Sequence, residues 1–248
     1  MRILVAIDDT DNLESIGTGK LASMLSESLN INGWGKGGFI TRHQMFVHPD
    51  IPYTSHNSAM CFEAEIDKKY LYAFVEFTVD FLKKKSAEGS DPGFCFLDID
   101  SFTGAKELMA FGYSGKKQVI KKADAYELAK RLDVHLSEHG GTGQGVIGAL
   151  AAVGLRLTGN DGRIKGHLKI ESANGIVTPD EIKRQTHVEA VQSIDEGLLI
   201  ENDKIRLGDK VKAVLLEGKS TLLVNKIDTD EKASAKWETC GKQQLRAY

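Results

Sequence analysis

The sequence predicts an α+β fold, and three observations predict it. A short apolar run at the N-terminus stops abruptly at acids, stretches of helical period alternate with further strand-like runs, and after residue 175 the chain breaks into short β-like pieces separated by turns. The 248 residues are enough for one large domain or two smaller ones, with a substantial core.

Taken in order, residues 3–7 are uniformly apolar and read as a buried strand. Leu21, Met24, Leu25 and Leu29 recur at helical spacing, so a helix is expected over residues 18–29, beginning near Gly17 or Thr18. Residues 39–47 and 59–66 read as two strands. Leu71, Phe74, Val75, Val79 and Leu82 mark an amphipathic helix over 68–85, and residues 94–97 read as another buried strand after the Asp91-Pro92-Gly93 turn. The order β-α-β-β-α-β is that of the ferredoxin-like split unit, assigned here to residues 1–98.

A second α/β segment is expected over 99–175, although residues 99–122 carry no clear pattern. Ala125, Leu128, Ala129, Leu132 and Leu136 predict a helix over 124–139, ending at Gly140-Gly141. A further helix over 146–157 is rich in small residues, which implies close packing, and residues 164–170 read as a strand. Residues 176–248 are assigned to a small, mostly β accessory domain, with strands over 198–200, 210–216 and 220–225.

Composition excludes several classes. Apolar residues at 41% and charged residues at 27% are ordinary for a globular chain, and the net charge of −3 gives no general attraction for nucleic acid. Cys61, Cys95 and Cys240 are scattered, so neither a zinc ribbon nor a disulfide scaffold is expected. No apolar run reaches membrane-spanning length, so no membrane partner and a cytoplasmic location are expected.

Four constellations could carry chemistry. Asp8-Asp9-Thr10-Asp11-Asn12 ends the first strand, and a turn there can bring Asp8, Asp9 and Asp11 together. Crowded carboxylates repel unless a cation neutralises them, and hard oxygen ligands suit Mg²⁺. The bland alternative, a capped turn with solvated acids, stays open. Gly17-Thr18-Gly19-Lys20 opens the following helix. It fails the P-loop test, because the required first glycine would be Glu14, but free amides beside Lys20 favour an anion.

The third constellation is Gly140-Gly141-Thr142-Gly143-Gln144-Gly145, an open loop feeding a helix and a candidate phosphate cradle. Residues 143–148 also match G-x-G-x-x-G, but the preceding segment reads as a helix, so a dinucleotide fold is rejected. His135-x-x-Glu138-His139 formally matches an inverted zinc-protease pattern; it lacks a third ligand on a continuing helix. Fourth, Arg42, His43, His48, His56 and Asn57 flank two strands and could bind an acceptor. The pairs Lys116-Lys117 and Lys121-Lys122 read as solvated faces with access to phosphate.

In the same order along residues 1–170, the acidic run, Thr18, Thr41-Arg42, Ile51-Pro52-Tyr53 leading to Asn57, Asp91-Pro92-Gly93 and residues 145–154 (GVIGALAAVG) resemble archaeal tRNA-Ile agmatinylcytidine synthetases. That resemblance implies ATP cleavage through a phosphorylated intermediate, Mg²⁺ held by Asp8, Asp9 and Asp11, a phosphate-accepting threonine at Thr18, and nucleotide contacts from the 140–145 loop. It also implies a β-barrel and a tRNA-gripping zinc ribbon, and the cysteines here provide no ribbon. Where the family has an arginine shortly before the asparagine, this chain has Ser55-His56.

The resulting expectation is a Mg-ATP-dependent phosphotransferase or ligase. Asp8, Asp9, Asp11 and Thr18 form its reacting centre; Gly17, Gly19, Lys20 and the 140–145 loop hold ATP; Arg42, His56 and Asn57 face the acceptor. The acceptor is expected to be a small nucleoside or amine. A tRNA cytidine-modifying enzyme recruiting RNA through a partner, and a nucleotide sensor without turnover, are the alternatives, and homo-oligomerisation stays open.

Overall fold

The computed structural model describes residues 1–51, 56–227 and 235–248. Pro52, Tyr53 and Ser55, which figured in the sequence reading, lie outside the described residues. The chain forms two compact units, residues 1–158 and 159–248.

The first unit begins with β1 (Arg2–Asp8), α1 (Thr18–Ile31), β2 (Gly35–Gln44), β3 (Ser58–Ile66), α2 (Leu71–Lys85) and β4 (Gly93–Asp98). β1 pairs antiparallel with both β3 and β4, and β2 pairs antiparallel with β3. The sheet order β4-β1-β3-β2 is that of the expected ferredoxin-like unit.

Residues 99–158 complete this unit with α3 (Ala105–Gly115), α4 (Lys122–Arg131), β5 (His135–Glu138) and α5 (Gly145–Leu157). The sheet is thereby covered on both faces. Ile3, Val5 and Ile7 of β1 meet Leu21, Leu25 and Leu29 of α1 and Phe74 and Leu82 of α2. Leu4 and Ala6 of the same strand meet Leu108 of α3, Leu128 of α4 and Leu150 and Val153 of α5. Burial on both faces is why β1 reads as a continuous apolar run rather than an alternating one. Residues 99–158 belong to the same layered body as the first four strands.

The small residues of α5 perform the close packing that they imply. A Cβ on Gly154 would lie 2.1 Å from the Leu108 carbonyl oxygen, and one on Gly112 would lie 2.8 Å from the Leu155 nitrogen. The α3 and α5 backbones meet where side chains are missing.

The helix expected over 124–139 is a correction. α4 ends at Arg131, Asp133 takes a positive φ of 56°, and the chain restarts as β5, antiparallel to β4. Leu128, Leu132 and Leu136 fit a period of four, but Val134 and Leu136 also alternate with His135 and Ser137. That second period wins, because β5 extends the sheet edge.

In the second unit the strands are β6 (Arg163–Ile164), β7 (Ile176–Val177), β8 (Ala190–Ser193), β9 (Ile205–Arg206), β10 (Ala213–Leu216), β11 (Lys219–Lys226) and β12 (Trp237–Thr239). Their order is β6-β10-β11-β12-β9-β7, with β8 parallel to β11. The strand expected over 164–170 shrinks to β6, and the run 198–200 holds only a bridge from Leu199 to Gln192. One helix, α6 (Pro179–Gln185), went unanticipated. Its Thr178–Glu181 capping box with proline at the first position is a plain sequence signal.

Candidate functional site

The acidic run owes its shape to one unusual residue. Asp8 still pairs with Gly93 as the last position of β1, and Asp9 then adopts φ of 51°. That left-handed conformation is uncommon for a side-chain-bearing residue. It turns the chain so that Asp8, Asp9 and Asp11 line one cavity of about 260 Å³ in the first unit.

Thr18, the first residue of α1, joins the turn to the helix. The buried Thr10 donates from Oγ1 to Thr18 Oγ1 at 3.0 Å, and Thr18 Oγ1 in turn donates to Asp11 Oδ1 at 3.0 Å. Gly17 caps α1 without a side-chain hydrogen bond; Lys20 N–H donates back to the Gly17 carbonyl at 2.8 Å, and the amides of Thr18 and Gly19 are the ones placed for another acceptor. The opposite wall is the start of α5. A Cβ on Gly148 would lie 1.7 Å from Asp8 Oδ2, and one on Gly145 would lie 2.9 Å from the Asp8 carbonyl oxygen. Two helix N-termini therefore border the acids, each bringing partial positive charge.

Burial pushes the Asp8 carboxyl up to about 8, helped by the neighbouring charges of Asp9 and Asp11. Burial also pushes Asp9 up to about 6, with Asp91 and Asp11 adding repulsion and the Asp91 backbone N–H opposing it. Both carboxylates are thus costly as bare anions and favour a cation beside them.

The remaining wall mixes apolar and polar groups. Met45, Met60, Val119, Ile120, Ile147 and Ala151 form an apolar side, with Arg42, His56, Asn57 and Gln118 at the polar margin. Arg42 Nε donates to Ser58 Oγ at 2.9 Å. Asn57 Nδ2 donates to the Phe46 carbonyl at 2.6 Å, so this amide also fixes the end of β2.

Of the sequence-expected site residues, the cavity collects Asp8, Asp9, Asp11, Gly17, Thr18, Gly19, Arg42, His56, Asn57, Gln144 and Gly145. It does not collect Lys20, which is exposed on α1, nor Gly140, Gly141, Thr142 and Gly143. The amides expected to cradle phosphate at Thr142 and Gly143 already donate to the Asp91 carboxylate, the second at 3.1 Å. Gly148 and residues 118–120 were missed. In α5 only the small-residue spacing hinted at a close neighbour, and nothing in the sequence names that neighbour as Asp8.

Two rejected motifs can be placed. A strand, not a helix, precedes Gly143-x-Gly145-x-x-Gly148, but β5 is an edge strand whose sheet neighbour is β4, not a strand that follows α5, so no βαβ unit of adjacent parallel strands forms around the motif. His135 and His139 sit on that edge segment with both Nε2 atoms on Ser137 Oγ, at 3.0 and 2.9 Å.

Among the described residues, no three His, Cys, Asp or Glu side chains form a ready-made cluster for a metal ion. The donor set still fits Mg²⁺, which commonly takes one or two carboxylates and completes its shell with water and substrate phosphates. Also among the described residues, no helix is long and apolar enough to cross a membrane.

The sheet and its cavity define an α+β fold with an acid-lined site at the ends of two helices, and several of the proteins similar to it are 2-agmatinylcytidine synthetases named for an isoleucine tRNA. Over 160 residues the chain is 32% identical to TiaS of Archaeoglobus fulgidus, a 2-agmatinylcytidine synthetase named for an isoleucine tRNA, covering 63% of this chain and 36% of the relative. Over 195 residues it is 29% identical to TiaS of Methanosarcina mazei, covering 76% of this chain and 44% of the relative. An uncharacterized protein of Methanocaldococcus jannaschii is 27% identical over 155 residues, 62% of this chain and 50% of the relative.

Among solved structures, the complex of TiaS with its isoleucine tRNA and ATP matches with a TM-score of 0.55 and 30% identity, over 62% of this chain and 36% of that one. Apo TiaS matches with a TM-score of 0.53 at 30% identity, over 62% of this chain and 35% of that one. No protein-family model matches. The chain thus resembles part of an ATP-using tRNA-modifying ligase, and spans between a third and a half of the length of these relatives.

Proposed function

We propose that the first unit is an ATP- and Mg²⁺-dependent catalytic unit that activates an RNA cytidine for joining to a small amine. The observation that carries this reading is the cavity that unites Asp8, Asp9, Asp11 and Thr18 with the N-termini of α1 and α5. Anions gather at helix N-termini, and carboxylates beside them would hold a Mg²⁺ ion that would offset phosphate charge.

In this reading the amides of Thr18 and Gly19 face the triphosphate, and α5, whose first amides already donate within the chain, adds only the positive end of its dipole. Mg²⁺, held by Asp8 and Asp9 or Asp11, supplies the charge neutralisation that phosphoryl transfer requires. Thr18 Oγ1 would receive a phosphoryl group from ATP, with the remainder of the nucleotide leaving and the hydroxyl proton passing to Asp11, whose Oδ1 it meets at 3.0 Å. Arg42 and His56, at the polar margin, face the acceptor. The apolar wall of Met45, Met60, Val119 and Ile120 offers a surface for a base.

For the acceptor, this reading takes the tRNA alternative rather than the small molecule expected first. The relatives whose names specify tRNA, together with a solved complex of TiaS with tRNA, AMPCPP and agmatine, favour RNA. The test is to incubate the chain with Mg-ATP, labelled agmatine and tRNA transcripts, follow transfer of label, and measure tRNA binding by gel shift across salt. Label on a cytidine with salt-dependent binding supports the proposal. Turnover with free nucleosides or amines and no tRNA binding at low salt supports the small-molecule acceptor instead.

A further inference from the structure

The glycine loop before α5 takes its shape from a carboxylate on another segment. Asp91 lies in the turn before β4. Its Oδ1 accepts the backbone N–H groups of Thr142 and Gly143, the latter at 3.1 Å, and its Oδ2 accepts Thr142 Oγ1–H at 2.9 Å. The Asp91 carbonyl accepts Gly145 N–H at 3.1 Å, at the first residue of α5. Its own backbone N–H donates to the Asp9 carboxylate. One residue touches the acidic run, the loop and the helix that walls the cavity.

The loop glycines match this arrangement. Gly141 has φ of 53°, and a Cβ there would lie 2.0 Å from Asp91 Oδ1; Gly143 has φ of 74°, and its Cβ would lie 1.4 Å from Glu138 Oε2. Lys122 Nζ closes the loop from outside, donating to Glu138 Oε2 at 2.8 Å and to the Thr142 carbonyl at 2.7 Å. The loop is an anion-binding nest whose anion is part of the chain.

We infer that Asp91 is a positioning residue for the site: its carboxylate holds the 140–145 loop closed and thereby fixes the start of α5 against Asp8. The displaced quantity is small and its effect large. Gly145 and Gly148 contact Asp8 only while the helix start stays in place, and a shift of about 1 Å at a reacting centre costs roughly 100-fold in rate. The consequence for turnover rests on the proposed ATP chemistry; the holding of the loop does not.

Two substitutions separate geometry from charge. Asp91→Ala leaves Thr142 N–H, Thr142 Oγ1 and Gly143 N–H without their acceptor. Asp91→Asn keeps an Oδ1 acceptor for both amides and offers an N–H to Thr142 Oγ1, which can accept. Hydrogen exchange and steady-state kinetics on the full chain then decide. Asp91→Ala is expected to raise amide exchange over residues 142–147 about tenfold while α1 and α2 keep theirs. It should lower kcat for ATP cleavage about 100-fold with KM for ATP little changed, and Asp91→Asn should restore both.

Unchanged loop exchange in Asp91→Ala, or an Asp91→Asn protein as loose as Asp91→Ala, overturns the inference. So does a rise in KM at unchanged kcat, because the loop would then touch nucleotide directly. Should Asp91→Ala not fold, Thr142→Val removes one bond of the clamp and must still loosen the loop. If the unsubstituted chain cleaves no ATP, the functional reading fails, while the exchange measurement still decides whether Asp91 holds the loop.

Discussion

Replacing Gly148 by alanine tests the site with one methyl group. Gly148 lies within α5, and the added Cβ would stand 1.7 Å from Asp8 Oδ2. Ordinary carbon contacts begin near 3.5 Å, so the carboxylate must retreat by about 1.5–2 Å. Alanine also favours the helix over glycine by about 1 kcal/mol, which offsets part of the strain on folding. The expected outcome is therefore asymmetric. Thermal unfolding should change by only a few degrees, while Mg-dependent ATP cleavage falls at least about 100-fold, equivalent to roughly 2.7 kcal/mol of barrier. Asp8→Glu in the same background should not recover activity, because the longer side chain meets the same methyl. Full turnover in Gly148→Ala, with the fold intact, would refute the claim that Asp8 works from its place against α5.

Other outcomes follow from the same geometry. Thr18→Ser keeps a hydroxyl between Thr10 and Asp11 and should retain most activity, whereas Thr18→Ala should lose phosphoryl capture, read by phosphate labelling of the intact protein. Gly154→Ala drives a Cβ to 2.1 Å from the Leu108 backbone and should cost about 1–3 kcal/mol in denaturant unfolding, without selective loss of nucleotide affinity. Burial lowers the pKa of His135 and of His139, so the unfolded chain binds protons more readily than the folded one. Their contribution to stability is present above the ordinary histidine pKa of about 6.5 and is lost as pH falls through and below it. The raised carboxyls of Asp8 and Asp9 act in the opposite sense between pH 5 and 7 but equally in both proteins, so the histidine contribution is read as a difference. The unfolding midpoint of His139→Gln should lose less, or gain more, on acidification than that of the unsubstituted chain, and parallel slopes would contradict this.

Much of the first unit was legible because its signals are local. β1 shows an unbroken apolar run, and α1 and α2 show a clean helical period. The acidic run, Thr18 and Gly145 were identifiable because carboxylates and glycines at element ends are conspicuous. Three features were hidden. β5 hid behind leucines four apart, whose spacing serves a helix and an edge strand equally until the register with β4 is known. α3 hid because Gly112 and Gly115 weaken its pattern, and Gly112 is glycine for the sake of α5. The 140–145 loop looked like an empty phosphate cradle because its occupant, Asp91, lies about fifty residues earlier, and only the fold brings the two together.

The central claim is that the acidic turn handles a metal-bound nucleotide. The most direct measurement is ATP turnover by the full chain with and without Mg²⁺, separating AMP from ADP by chromatography, for the unsubstituted protein, Asp8→Asn and Asp11→Asn. The expected result is Mg-dependent release of a single nucleotide product, stimulated by tRNA with agmatine and abolished by either substitution. ATP affinity unchanged by both substitutions, with no phosphate or pyrophosphate released by any of the three proteins, would contradict it and leave a nucleotide-binding protein without catalysis.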